Sequence, residues 1–268
     1  KVEMQVINNN NIIETIPLNK VDLNLEGYSK NPGTFAQTPN YAYKFKKNLV
    51  ASNVYKLHVV NLSTGKEIVG QTNIINTSAG AFQFITPLDE LDLLDFTNLV
   101  PYSIRWNGPP QAAIYDVVLK FRYQEVDINN ISDTNYFEKE VVLTQNKLSN
   151  TGEMISTIAN TTFYKQLNST IGEVPINIKR YVDTPGLMIV AGGYELKTYI
   201  DVNAAQGGIT FDQIRPNYTN LIGQDVYGLI STRGKIEFPK IKFNGATIDS
   251  IIKGQFTKNL RIVGISNK

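Results

Sequence analysis

The 268-residue sequence contains no cysteine and a single histidine, His58. These absences exclude thiol chemistry, disulfide bonds, cysteine-based zinc sites and any site that needs two histidines. No run of residues approaches the ~20 consecutive apolar side chains that a membrane-spanning helix needs. A chain without cysteine fits a reducing compartment and an oxidising one equally well. The missing residue types therefore narrow the chemistry but leave the compartment open.

Positive and negative charges are nearly balanced. Subtracting 24 acidic from 26 basic residues leaves a formal net charge of +2. Nucleic-acid binding through phosphates needs an excess of lysine and arginine, so we expect no nucleic-acid partner. The chain is 42% hydrophobic and 10% aromatic, which is typical of a folded globular protein. Its length suits one large domain or two ordinary domains.

Alternation of apolar and polar residues predicts a mainly β protein. In the run Ala113–Val126, one face carries Tyr115, Val117, Leu119, Phe121 and Tyr123. The run Asn40–Lys46 predicts a half-buried strand with its aromatic side chains inward and its lysines outward. A hairpin is predicted from Tyr55–Val59 and Ile68–Ile74, with its turn at Asn61–Lys66. Further strands are predicted at Phe137–Leu143, Ile176–Val182, Leu187–Val202 (with a bend at Gly192-Gly193), Asp225–Ser231 and Leu260–Ile265.

One amphipathic helix is predicted over Glu153–Ile171, where apolar residues recur every three or four positions. Asn150 or Thr151 would cap its start and Gly172 its end. Shorter helical turns are predicted at Leu88–Phe96 and Thr247–Lys253.

The acidic segment before Pro101 interrupts the strand pattern, so we place a domain boundary within Asp95–Pro101. Short strands separated by Gly, Asn and Pro turns are typical of β-sandwiches. We therefore predict two tandem β-sandwich domains, at residues 1–98 and 99–268. The helix near 153–171 would be inserted into the second domain.

The second domain contains the motif Tyr102–Trp106, then Gly108-Pro109-Pro110, then Ile114–Val117, and further on the run Tyr194–Asn203. The motif is similar to the second and third strands of a fibronectin type III module, and the run is similar to a later strand of that fold. The resemblance implies β-sandwiches of the immunoglobulin or fibronectin III-like class, with the helix as an insertion in the second domain.

A wider resemblance covers most of the chain and rests on three motifs: Tyr55–Thr72, Tyr218–Arg233 and Thr247–Leu260. Together they are similar to a family of uncharacterised extracytoplasmic lipoproteins from Bacteroidetes. The resemblance implies export with a lipobox and a lipid anchor on a cysteine upstream of residue 1. Location would be the periplasm or the outer-membrane-anchored cell surface. The start at Lys1-Val2-Glu3-Met4 lacks the apolar core of a signal peptide. It also lacks an initiator Met at position 1, so we expect a processed or trimmed end.

Candidate catalytic residues are few. We interpret His58 as a solvent-facing or edge-strand residue, because a catalytic base needs a positioned partner and no Gly-x-Ser-x-Gly elbow is present. Paired carboxylates could hydrolyse glycosides without histidine or cysteine. The candidates are Asp89, Glu90, Asp92 and Asp95, or Glu138 with Glu140. We interpret both groups as solvated surface charge.

Two further groups could bind a ligand. The loop Asp127–Asp133 offers several oxygen ligands for calcium but lacks the glycine and closing glutamate of an EF-hand loop, so the metal question stays open. Trp106 is predicted to lie in the core. Tyr28, Phe35 and Tyr218 lie in loops, where they are freer to contact a ligand.

These observations assign no catalytic or cofactor-binding residue, and no cofactor is expected. The leading expectation is a non-enzymatic cell-envelope lipoprotein that acts as a binding or adhesion module for a protein or polysaccharide. The alternative is a carbohydrate-active hydrolase that uses paired carboxylates in an inter-domain cleft. A purely structural spacer is the third reading.

Overall fold

The computed structural model describes residues 1–31, 33, 38–78, 80–84, 101–148, 153–204 and 218–266. Within these ranges the protein is mainly β, as predicted, and it has three α-helices. The helices are α1 (Asn160–Ile171), α2 (Tyr194–Ala204) and α3 (Gly245–Lys253). The strands are β1 (Val2–Asn8), β2 (Asn11–Pro17), β3 (Asn19–Asp22), β4 (Tyr41–Lys44), β5 (Val54–Val60), β6 (Glu67–Asn73), β7 (Gln83–Phe84), β8 (Tyr102–Asn107), β9 (Ile114–Asp127), β10 (Asn130–Leu148), β11 (Met154–Ile158), β12 (Ile178–Val182), β13 (Gly186–Gly192), β14 (Ile222–Gly223), β15 (Arg233–Phe238) and β16 (Ile262–Ile265).

The chain forms two compact units. Unit 1 consists of residues 1–76 with 193–232, and unit 2 of residues 77–192 with 233–268. The boundary that we predicted at Asp95–Pro101 lies almost entirely outside the described residues. Segment 193–232, which we predicted within the domain 99–268, belongs to unit 1 because β14 pairs with β6.

Unit 1 is built on a five-stranded sheet in the order β14-β6-β5-β1-β2. The predicted hairpin of β5 and β6 is confirmed. The buried side chains of Val6, Tyr55 and Ile74 pack together on one face, with Met4 and Ile16 at their margin. This cluster is the described core of the unit.

Unit 1 also contains a two-stranded ribbon of β3 and β4. The prediction that the aromatic side chains of Asn40–Lys46 point inward was wrong for Tyr41 and Tyr43, which are exposed, whereas Ala42 and Phe45 are half-buried. Lys20 of β3 places its ammonium group 3.8 Å from the centre of the Tyr41 ring. Alternation reveals the two faces of a strand but does not say which face is buried.

Unit 2 contains a six-stranded sheet centred on β9. Strand β10 pairs along the whole of one edge of β9, while β13 and β12 share the other edge and continue to β15 and β16. The predicted inward face of β9 is confirmed, since Tyr115, Val117, Leu119, Phe121 and Tyr123 are all buried.

A second sheet, in the order β11-β8-β7, packs on this buried face. The Trp106 ring of β8 meets the Tyr115 ring of β9 edge to face, with 5.5 Å between their centres. Helix α1 adds Phe163, whose ring lies 6.1 Å from that of Phe243. Two stacked layers around one core correspond to a β-sandwich with a helix packed against it.

Three predicted elements were wrong in part. The segment Glu153–Ile171 begins as strand β11, which pairs with β8, and becomes helical at Asn160. Its predicted end at Gly172 is confirmed, with φ +72°, but the predicted caps Asn150 and Thr151 lie outside the described residues. The helical turn predicted at Thr247–Lys253 is confirmed within α3, whereas the one at Leu88–Phe96 also lies outside the described residues.

The predicted strand Leu187–Val202 stops at Gly192, and the residues from Tyr194 form helix α2. An ion pair of Lys197 with Asp201, four residues apart, supports the helix. The run Tyr194–Asn203 therefore does not supply the late fibronectin strand.

The predicted strand Asp225–Ser231 is an irregular segment, and the strand β15 begins at Arg233. Asn220 explains the difference. Its side-chain amide accepts a hydrogen bond from the Ile230 N–H at 2.9 Å and donates one to the Ile230 carbonyl at 2.7 Å. One side chain thus satisfies backbone groups that a neighbouring strand would otherwise bind.

Candidate functional site

The candidate site is the outer face of the six-stranded sheet, defined as the face opposite the buried core. It carries the alternate residues of β9, including Lys120, Arg122 and Gln124, together with the residues that pair with them on β10, β12, β13 and β15. Successive side chains of a strand point to opposite faces. Since the core fills the other face, this one presents its side chains away from that core.

A row of residues crosses four strands of this outer face. Tyr136 of β10 pairs with Gln124 of β9, which pairs with Tyr181 of β12, which pairs with Gly264 of β16. Neighbouring strands lie about 4.8 Å apart, so the two tyrosines are about 9.6 Å apart at their Cα atoms. Tyr136 is 55% exposed and Tyr181 is half-buried. We call these four residues the tyrosine row.

Gln124 fixes the middle of the tyrosine row. It is buried, and its amide nitrogen donates a hydrogen bond to the Ser266 hydroxyl oxygen. The Tyr181 ring lies beside Gly264 of β16, where a Cβ would make an ordinary van der Waals contact, 3.7 Å from Tyr181 Cδ1. The row therefore presents two aromatic rings separated by a positioned amide.

A charge network lies beside the tyrosine row. The Lys120 ammonium is 3.4 Å from Glu138 and 3.2 Å from Glu237, and the Arg122 guanidinium is 2.7 Å from Glu138. Glu237 also pairs with Lys235 at 2.8 Å. These five side chains and Glu140, which lies opposite Lys120 in the register, sum to zero charge.

The pKa values of Glu138, Glu237 and Lys120 shift toward the ionised forms. The Arg122 hydrogen bond, helped by the Lys120 charge, lowers the pKa of Glu138. Hydrogen bonds from Lys235 and Lys120 lower the pKa of Glu237. Burial opposes the charge on Lys120, but the two carboxylates outweigh it and raise its pKa. Glu138, Glu237 and Lys120 therefore stay ionised across the physiological pH range.

The same shifts bear on the predicted carboxylate pair Glu138 and Glu140. A glycosidase needs one carboxyl group whose pKa is raised, so that it can donate a proton. The lowered pKa of Glu138 fits a permanent ion-pair partner instead. The other candidates, Asp89, Glu90, Asp92 and Asp95, lie outside the described residues, and the hydrolase alternative stays a prediction.

His58 lies on β5, the middle strand of the unit 1 sheet, so its interpretation as an edge-strand residue was wrong. It is held between two carboxylates: Nδ1 is 2.9 Å from Glu3 and Nε2 is 3.4 Å from Glu67. Lys1 pairs with Glu3 at 2.7 Å. Hydrogen bonds from Lys1 and then His58 lower the pKa of Glu3. Within the described residues, both ring nitrogens of His58 bind carboxylates, so His58 on β5 links Glu3 on β1 to Glu67 on β6.

The predicted calcium loop uses its carboxylates to brace a turn. Asp127 accepts hydrogen bonds from the Asn129 N–H at 2.8 Å and the Asn177 amide at 2.9 Å. Asp133 accepts one from the Asn135 amide at 3.1 Å. Among the residues that the structure describes, no three histidine or carboxylate side chains are grouped to hold a metal ion. The calcium site stays a prediction.

The predicted aromatic residues have different surroundings. Trp106 is fully buried, so its place in the core is confirmed. Tyr28 is exposed and Tyr218 is half-buried, both in unit 1, and Phe35 lies outside the described residues. The structure does not bring them into the tyrosine row. That row was missed, although Tyr136 alternates with Glu138 and Glu140 and so shares their outward face.

Comparison with protein-family models, with curated proteins and with solved structures found no match to this chain. The lipoprotein and fibronectin resemblances therefore stay predictions. None of the described helices combines the length and apolar character needed to span a bilayer.

Proposed function

We propose that the protein is a non-enzymatic cell-envelope lipoprotein that binds a polysaccharide through the outer face of its six-stranded sheet. The observation that carries the proposal is the tyrosine row, in which Tyr136 and Tyr181 flank Gln124 on three paired strands. Aromatic rings offer apolar faces to the C–H groups of sugars, and the tyrosine hydroxyl adds a polar contact.

A sheet face supports this role because its side chains are already ordered. The three strands of the row are joined by continuous backbone pairing, from Asn135–Phe137 on β10 through β9 to Arg180–Val182 on β12. Binding to a preorganised surface avoids the free-energy cost of ordering loops and side chains. A modest number of sugar contacts can then give measurable affinity.

A polysaccharide fits the outer face better than a protein partner does. Stable protein interfaces bury about 800 Å² on each partner, and charged residues are depleted from their centres. Here the two tyrosines lie beside the ion pairs of Lys120, Arg122, Glu138 and Glu237. Covering these ion pairs with protein would desolvate charges, whereas a glycan leaves much of the network hydrated.

The envelope location rests on the family resemblance, which implies a lipidated cysteine upstream of residue 1. The prediction is that the full-length protein is recovered in the envelope fraction of its own cells and incorporates labelled palmitate. Recovery in the cytoplasmic fraction without label would contradict the location, while leaving the binding site unaffected.

A glycan array probed with the purified chain tests the binding function. The expected result is retention of at least one class of polysaccharide, lost in the variant Tyr136→Ala/Tyr181→Ala. Tyr227→Ala is a matched control, because Tyr227 is 77% exposed and belongs to unit 1. Binding to no glycan, or binding that the double variant retains, would overturn the proposal.

A further inference from the structure

We infer that the glycan bound by the outer face is an uncharged, extended chain that lies across the strands, with one sugar ring on Tyr136 and another on Tyr181. This inference rests on the proposed function and names the ligand class and its direction.

The direction follows from the strand register. Tyr136, Gln124 and Tyr181 are direct register partners, so the row runs perpendicular to β10, β9 and β12. The spacing of about 9.6 Å between the two tyrosines is close to the length of a disaccharide. An extended chain can therefore place alternate sugar rings on the two aromatic rings, with the intervening sugar above Gln124.

Gln124 leaves room for that intervening sugar. The residue is only 9% exposed and its amide nitrogen is held by the Ser266 hydroxyl, so it lies low between the two tyrosines. Gly264 continues the row as a low surface next to Tyr181, which leaves room for a chain longer than three sugars.

The absence of charge on the ligand follows from the network beside the row. All three cations of the network are already paired: Lys120 and Arg122 with Glu138 or Glu237 at 2.7 to 3.4 Å, and Lys235 with Glu237 at 2.8 Å. An anionic sugar on this side of the row would approach Glu138, Glu140 and Glu237 with every cation of the network already paired. The exposed Lys179, two residues before Tyr181 on β12, lies outside the network, and the salt series below tests whether it receives an anion. A cationic sugar would have to compete with Lys120, Arg122 and Lys235 for the same carboxylates. An uncharged glycan disrupts none of these pairs.

Affinity electrophoresis through gels that contain a defined polysaccharide tests the inference. The uncharged probes are hydroxyethyl cellulose, xylan and mannan, and the charged probes are alginate, polygalacturonate and chitosan. The expected result is retardation by an uncharged probe that is the same at about 0.05 and 0.5 M salt, because the contacts with an uncharged glycan involve no ionic pairing. Contacts between exposed charges would weaken over that range, since salt screens them.

Four variants locate the contact. Tyr136→Ala is expected to weaken binding about tenfold, in line with the loss of one aromatic contact, and Tyr181→Ala to do the same. Tyr136→Phe keeps the ring and is expected to change binding less than about threefold. Tyr227→Ala is expected to change nothing. Emission of the buried Trp106 checks that unit 2 remains folded in the Tyr136 and Tyr181 variants, and circular dichroism checks the unit 1 variant Tyr227→Ala.

The outcomes separate the inference from the proposed function. Salt-sensitive retardation by alginate, polygalacturonate or chitosan alone would overturn the uncharged ligand, while polysaccharide binding would stand. Retardation by an uncharged probe that Tyr136→Ala and Tyr181→Ala leave unchanged would overturn the row as its site. Retardation by no polysaccharide would overturn both.

Discussion

Arg180 is expected to stabilise unit 2 through a buried ion pair. The side chain is 2% exposed, and its Nε and Nη2 atoms lie 2.9 and 2.8 Å from the Glu125 carboxylate. Nη1 donates hydrogen bonds to the carbonyls of Gly172 at 2.6 Å and Leu260 at 3.1 Å. One guanidinium thus joins β12 to β9, to the end of α1 and to the turn before β16.

The variant Arg180→Met removes the charge and leaves three acceptors without their donor. Breaking a buried ion pair on one side costs about 3–5 kcal/mol. We expect the lower end, about 3 kcal/mol, because the Glu125 side chain is 18% exposed and can be rehydrated. In the double variant Arg180→Met/Glu125→Leu no charge is left unpaired, so the loss falls to about 1–2 kcal/mol for the two carbonyls.

Urea unfolding followed by tryptophan fluorescence measures these free energies. Trp106 is the one tryptophan in the sequence and is fully buried in unit 2, so its emission reports this unit. A loss below about 1 kcal/mol for Arg180→Met would refute the ion-pair reasoning. A double variant less stable than the single one would refute it as well.

Three further changes have defined outcomes. The pKa of Glu3 is lowered in the folded state. The stability that Glu3 contributes is therefore present above its pKa in the unfolded chain and is lost as pH falls through its pKa in the folded protein. Glu3→Gln should flatten the dependence of thermal stability on pH in that acidic window. Gly70→Ala places a Cβ 2.5 Å from Leu221 Cδ2 and should destabilise unit 1 by about 1–3 kcal/mol. Asn244→Ala removes the cap that Asn244 gives to the Thr247 N–H at 2.7 Å and should cost about 1 kcal/mol.

Circular dichroism during heating measures all three changes, and each has its own control. Glu3→Gln is compared with Glu14→Gln, since Glu14 belongs to a more exposed ion pair; equal pH profiles would contradict the Glu3 account. Gly245→Ala is the control for Gly70→Ala, because a Cβ at Gly245 meets nothing within 4 Å. Asn244→Ser should keep the cap, so equal losses for alanine and serine would argue against capping.

Part of the sheet structure could be predicted from the sequence, because some strands, β9 above all, carry an uninterrupted alternation. The face of β9 from Tyr115 to Tyr123 is the clearest case: the predicted inward residues are all buried. The hairpin of β5 and β6 could be predicted as well, since a turn rich in Asn, Ser, Thr and Gly separates its strands. Local periodicity and turn chemistry suffice for such elements.

Elements whose conformation depends on distant partners could not be predicted in the same way. The run Tyr194–Val202 alternates like a strand, yet it forms the helix α2, in which no residue is buried. Met154–Ile158 looked helical and instead pairs with β8, some fifty residues earlier in the chain. Pairing with β8 overrides the local pattern of Met154–Ile158, whereas α2 is supported by its own Lys197–Asp201 pair rather than by burial.

The candidate site was even harder to predict from the sequence, because it depends on the register in which the strands pair. Tyr136 and Tyr181 lie far apart in the sequence, and pairing of both strands with β9 brings them into one row. A shift of one residue in either pairing would move the tyrosine to the other face. The environment of Glu138, too, depends on Arg122 and Lys120 across the strand pair.

The most direct test of the central claim is calorimetric titration of the purified chain with an uncharged, extended oligosaccharide, in parallel with Tyr136→Ala. The account predicts binding by the parent chain at both low and high salt, and about tenfold weaker binding by the variant. Equal affinities, or heat that appears for anionic oligosaccharides at low salt alone, would contradict it.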